Sequence, residues 1–100
     1  MNMTNLTNNN QAYKQLQEIQ SYHEPALAVF NEIIERKRQN LRSKNYDVNN
    51  AAASKYEIAE IYARYFRVTQ YMGMEIINSL IRAGKVEGFS GYVKPKAGDK

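Results

Sequence analysis

A chain of 100 residues, 43% hydrophobic and 24% charged, has room for one domain with a modest core and is too apolar to stay disordered. The absence of cysteine excludes a disulfide framework and any thiolate metal site, and a net charge of +4 permits a polyanionic partner without demanding one. No run approaches the ~20 apolar residues of a membrane span, and Met1 to Asn10 lack the basic start and apolar stretch of a secretory signal, so a cytoplasmic protein is expected.

Residues 1–10, rich in Asn and Thr, read as a disordered tail; one domain is expected over 11–96, with 97–100 as a flexible end. Ala12, Leu16 and Ile19 fall at helical spacing and predict a short helix ending near His23. Pro25 suits the first turn of a second helix, where its missing N–H is no loss. Along that helix Leu27, Phe30, Ile34 and Leu41 keep one face, widened by Ala26, Val29 and Ile33. Its last part carries Arg36, Lys37, Arg38, Arg42 and Lys44, preceded by Glu32 and Glu35. That order complements the helix dipole, and it equally offers a basic run to DNA.

From Ser43 to Asn50 the Asn and Asp side chains compete for nearby backbone groups and favour a loop, with one extended pairing residue near Val48. Ser54 and Glu57 form a capping-box pattern that starts a helix, which Ala51 to Ala53 could extend backwards. Ile58, Ile61, Tyr65, Val68, Met72, Ile76, Leu80 and Ala83 then recur three or four apart, so periodicity alone permits one helix ended by Gly84. Arg67-Val68-Thr69 offers a break, because two β-branched residues disfavour helix and Thr69 can cap a new one. The break makes a helix-turn-helix of residues 54–66 and 70–83. Beyond Gly84, Val86, Phe89, Tyr92 and Val93 around Gly88, Ser90 and Gly91 predict two short strands with a glycine-bearing turn.

With that break, Ala63, Val68-Thr69, Leu80 and Gly84, followed by Lys85 to Lys94 as a hairpin, form a pattern that resembles the winged helix-turn-helix superfamily. The resemblance covers residues 54–94 and is one of residue types; it departs at Gly73, where such helices more often carry a β-branched or aliphatic residue. It implies a mainly α fold: N-terminal helices, a helix-turn-helix and a small two-stranded β wing. It also implies a non-enzymatic binder of duplex DNA, acting in transcription or replication, and pairing of two copies through the N-terminal helices lengthens the site read.

In this reading Met72, Ile76, Leu80 and Ala83 face the core, leaving Gln70, Tyr71, Met74, Glu75, Asn78 and Arg82 for the free surface. Gln70 and Asn78 suit adenine edges, Arg82 suits guanine or phosphate, and the helix start capped by Thr69 suits phosphate. Arg64 and Arg67 around the turn, with Lys85, Lys94 and Lys96 on the wing, are the phosphate contacts, forming one basic edge if the wing folds back beside the second helix. Tyr71 and Met74 support a rival: an interaction module, for example a component or inhibitor of a nucleic-acid machine from a mobile element or its host. A third reading is a structural bundle in which residues 54–83 are one helix.

Tyr62 and Tyr65 are expected in the core with their hydroxyls reaching water. His23, the single histidine, marks a helix boundary, and no metal or other cofactor is expected. No phosphate loop, nucleophile–base pair or apolar acid pair stands out, so no enzyme is expected.

Overall fold

A computed structural model describes the backbone of residues 3–96 and the side chains of residues 12–96; the expected flexible end at 97–100 lies outside the described residues. Helix α1 (Met3–Ser21) is followed, after Tyr22, by α2 (His23–Ser43). A 3-10 turn (Val48–Asn50) leads to strand β1 (Ala53–Ser54), α3 (Lys55–Phe66), α4 (Gln70–Arg82), β2 (Val86–Phe89) and β3 (Tyr92–Pro95). The protein is therefore mainly α, with N-terminal helices, a helix-turn-helix and a small antiparallel sheet.

Helix α1 takes in residues 3–10 of the expected N-terminal tail. Lack of apolar content removes packing but not helix propagation: once the end of α1 is anchored, each further residue adds a backbone hydrogen bond without a new nucleus. The anchor is Ile19, which is buried, whereas Ala12 and Leu16 of the predicted apolar face are exposed. Among the described side chains of α1 only Ile19 is buried, and the molecule is 61 Å in its longest dimension.

Helix α2 is the spine. Its buried residues, His23, Ala26, Val29, Phe30, Ile33 and Ile34, follow the predicted face, with Leu27 and Leu41 at its half-buried margin. Tyr62, Ile58, Ile76, Ile77, Leu80 and Val93 meet it to form the core. The Tyr62 hydroxyl does not reach water; it donates to the Ala26 carbonyl at 2.8 Å, and burial pushes its phenol well above the usual range. Tyr65 is 64% exposed, which corrects its expected core placement.

The chain breaks between α3 and α4, so the single-helix bundle is ruled out. Arg67 adopts a left-handed conformation (φ 57°, ψ 46°), and the Val68 N–H donates back to the Ala63 carbonyl at 3.1 Å. Thr69 Oγ1 then accepts from the Met72 N–H at 3.0 Å, as its capping role predicts. Ser54 likewise accepts from the Glu57 N–H at 3.0 Å, but the Glu57 carboxylate turns to Lys37 at 3.0 Å, so half of the capping box forms. At the end of α4, Gly84 (φ 72°) and Lys85 donate to the Ile81 and Leu80 carbonyls, a Schellman closure.

The break also resets the helical phase. Buried positions are Ile58, Ala59 and Tyr62 on α3, and Gly73, Ile76, Ile77, Ser79 and Leu80 on α4. Met72 is only half-buried and Ala83 is exposed, so two of the four expected core positions on α4 shift. A left-handed residue between two helices rotates the second about its axis, and a stripe read straight through Arg67 cannot hold its register.

The sheet has three strands in the order β1-β3-β2, one more than predicted. Ala53 pairs with Val93 and Ser54 with Tyr92, so the extended pairing lies here and not at Val48, and Ala51 to Ala53 do not lengthen the helix. Ser90 and Gly91 both have positive φ (47° and 81°), as a two-residue hairpin turn requires. The Lys55 N–H donates to the Gly91 carbonyl at 2.9 Å, tying the hairpin tip to the start of α3. The wing is therefore a strapped flap.

Candidate functional site

Helix α4 presents one continuous outward stripe. Tyr71, Glu75, Asn78 and Arg82 are spaced four, three and four apart and lie opposite the buried set of Gly73, Ile76, Ile77 and Leu80. Tyr71 is 67% exposed and Arg82 is exposed, while Glu75 and Asn78 are half-buried between them. Gln70 is exposed at the first turn. Met74 is half-buried and packs against the core, so it does not stand beside Tyr71 as a free apolar pair.

The predicted cations fall into three groups, not one edge. Arg64 and Arg67 lie at the α3–α4 turn; Arg64 approaches Glu60 at 3.8 Å in an exposed pair that holds it only loosely. Lys85 and Lys96 lie beyond the other end of α4, which at 13 residues is about 20 Å long, and both line a groove that faces α2. Lys94 sits on the solvent face of the hairpin with its ammonium 5.3 Å from the centre of the Phe89 ring, itself stacked with Tyr92. Because the flap is strapped to α3, it does not swing these lysines alongside α4.

The sequence did not disclose a buried link at the base of α4. His23 Nε2 lies 2.8 Å from Ser79 Oγ, and Lys85 Nζ lies 3.3 Å from His23 Nδ1. An ammonium can only donate, so Nδ1 is the acceptor and Nε2 carries the proton it gives to Ser79. Ser79 and His23 form a serine–histidine pair, which the sequence was not expected to contain, but with the opposite polarity from a nucleophile and its base: a protonated Nε2 cannot take the serine proton. Both side chains are buried, and the arrangement acts as a latch joining the start of α2, helix α4 and the hairpin root.

No family model, curated protein or solved structure matches the chain. Among the described residues no three His, Cys, Asp or Glu side chains come together as a metal site, and no helix is long and apolar enough to cross a membrane.

The latch is sensitive to pH. Burial first, and the Lys85 ammonium second, hold the His23 imidazole below its ordinary value of 6.5. Between the folded and unfolded values the unfolded chain binds more protons, so the latch contributes fully above about pH 6.5 and is lost as pH falls from there through the lower folded value. Urea midpoints measured from pH 8 to pH 5 are expected to fall on the acid side, and His23→Gln is expected to flatten that fall. An unchanged profile in the variant would remove His23 from the account.

Proposed function

We propose that the protein binds duplex DNA without catalysing a reaction, as a small winged helix-turn-helix regulator of transcription or replication. The observation that carries this reading is the outward stripe Tyr71-Glu75-Asn78-Arg82, exposed at its two ends and half-buried between, on the second helix of a helix-turn-helix with a three-residue turn, with Arg64 and Arg67 at the stripe's start. The stripe has donors and acceptors for base edges: Asn78 for adenine, Arg82 for guanine, Glu75 for the cytosine amino group. Arg64, Arg67, Gln70 and the start of α4 capped by Thr69 take the phosphates on one side of the groove, and Lys94 those beside the flap. Lys85 and Lys96 contribute long-range positive potential from the far end.

Two copies pair through α1, whose Tyr13 and Leu16 are 62% and 45% exposed on an arm that the core does not cover. Pairing doubles the contact set and sets the spacing of two half-sites. The unmatched sequence leaves the recognised site open to selection from random duplexes.

Fluorescence anisotropy with a labelled duplex, across a salt series, tests the reading. Binding is expected to weaken steeply with salt, and Asn78→Ala is expected to lower preference for a selected site by about 1 kcal/mol or more without altering the salt slope. No duplex binding at low salt would overturn it and turn attention to a protein partner at Tyr71.

A further inference from the structure

A recess lies away from the α4 stripe, between the middle of α2 and the root of the hairpin, with a volume of about 410 Å³. That is within the usual range of roughly 300–1,000 Å³ for small-molecule sites. Leu27 and Pro95 give it an apolar wall, and Arg38, Lys85 and Lys96 put three cations at its edge against one carboxylate, Glu35. Glu35 is engaged with Arg38 at 3.7 Å, at an exposed position where the pair is easily exchanged for another anion. Lys96 is exposed, and among the described residues no salt bridge engages Lys85, its ammonium being directed to a neutral histidine nitrogen.

We propose that this groove binds a small ligand made of an anionic group and an apolar body. The anion is held by Lys85, Lys96 and Arg38, and the body lies against Leu27 and Pro95. The apolar wall has no role in holding a nucleic-acid backbone, which distinguishes the groove from the α4 surface, and the inference does not rest on the DNA reading. Lys85 is shared between the groove and the latch: the ammonium that meets the ligand also donates to His23, which holds Ser79 on α4. Ligand binding is therefore felt at the helix that presents the outward stripe, which makes the groove a place for an effector.

The test uses 1-naphthyl phosphate as the probe with the full chain and no DNA, followed by naphthyl fluorescence and amide NMR. Inorganic phosphate and 1-naphthol supply the anion and the apolar body separately. Saturable binding about tenfold or more tighter than either half is expected, with shifts along α2 near Leu27 and Arg38, at residues 85–96, and at Ser79 and the His23 ring. Arg38→Gln with Lys96→Gln, at a half-buried and an exposed position outside the core, is expected to weaken binding about tenfold, and Lys85→Gln to remove the response at Ser79. Equal binding of 1-naphthol, shifts confined to other surfaces, or indifference to the double variant in a protein whose spectrum stays folded would each overturn the proposal.

Discussion

Replacing Gly73 with alanine is expected to destabilise the protein by about 2–3 kcal/mol, a fall in Tm on the order of 10 °C. Helix propensity predicts the opposite sign, since alanine in an open helix is better than glycine by about 1 kcal/mol. The difference lies in what faces the position. A Cβ on Gly73 would fall inside van der Waals contact with the Ala59 carbonyl oxygen and 3.1 Å from its carbonyl carbon, so α3 and α4 cross with backbone against side-chain-free backbone. Backbone inside a helix cannot rotate away as a side chain does, and the helices must separate. Because the obstacle is the carbonyl, shortening the neighbour with Ala59→Gly is not expected to rescue Gly73→Ala. Rescue, or a stabilised Gly73→Ala, measured by urea or thermal denaturation, would mean that α3 and α4 do not meet this closely. The one departure from the winged-helix residue pattern thus has a packing reason, which the pattern alone could not supply.

What the sequence makes legible is what is decided locally. Ser54, Thr69 and Gly84 each act within a few residues of themselves, and each takes its predicted role at a helix end. The apolar face of α2 is uninterrupted and reads correctly. Features decided at a distance do not read. Ala53-Ser54 has no strand pattern and becomes β1 only because β3 offers it an edge. On α3 and α4 the stripe holds at Ile58, Ile76 and Leu80 and fails at Tyr65, Met72 and Ala83, because the periodicity runs straight through Arg67, where the chain turns left-handed. His23, Ser79 and Lys85 are separated by 56 and 62 residues along the chain, measured from the histidine. The available signal was small: a serine one residue before Leu80 on the flank of an apolar helix face, and a lone histidine at a helix start. Likewise the expected basic edge failed for a geometric reason, the length of α4 between its two groups of cations.

Arg67 is where stability and binding are expected to move in opposite directions. A left-handed conformation costs a non-glycine residue about 1 kcal/mol, and the Arg67 cation, favourable at the end of α3 and unfavourable before α4, gains nothing decisive from the two helix dipoles. Arg67 is exposed, and among the described residues no ion pair or side-chain hydrogen bond holds it. The left-handed turn closes α3 through backbone hydrogen bonds to the Ala63 carbonyl, which glycine would keep, but among the described residues no anion meets the Arg67 guanidinium, whereas a phosphate at the start of α4 would. Arg67→Gly is therefore expected to raise stability by about 1 kcal/mol while reducing the salt dependence of duplex binding by about one phosphate contact. Arg64→Ala separates the two effects: its pair with Glu60 is exposed, so stability should stay within about 0.5 kcal/mol while a similar loss of salt slope occurs. Combining them should lower the slope by about 2 and affinity at low salt by roughly 100-fold. A stabilised Arg67→Gly that binds duplex as well as the parent, with an unchanged slope, would take the phosphate contact away from the α3–α4 turn and with it the placement of α4 in the groove.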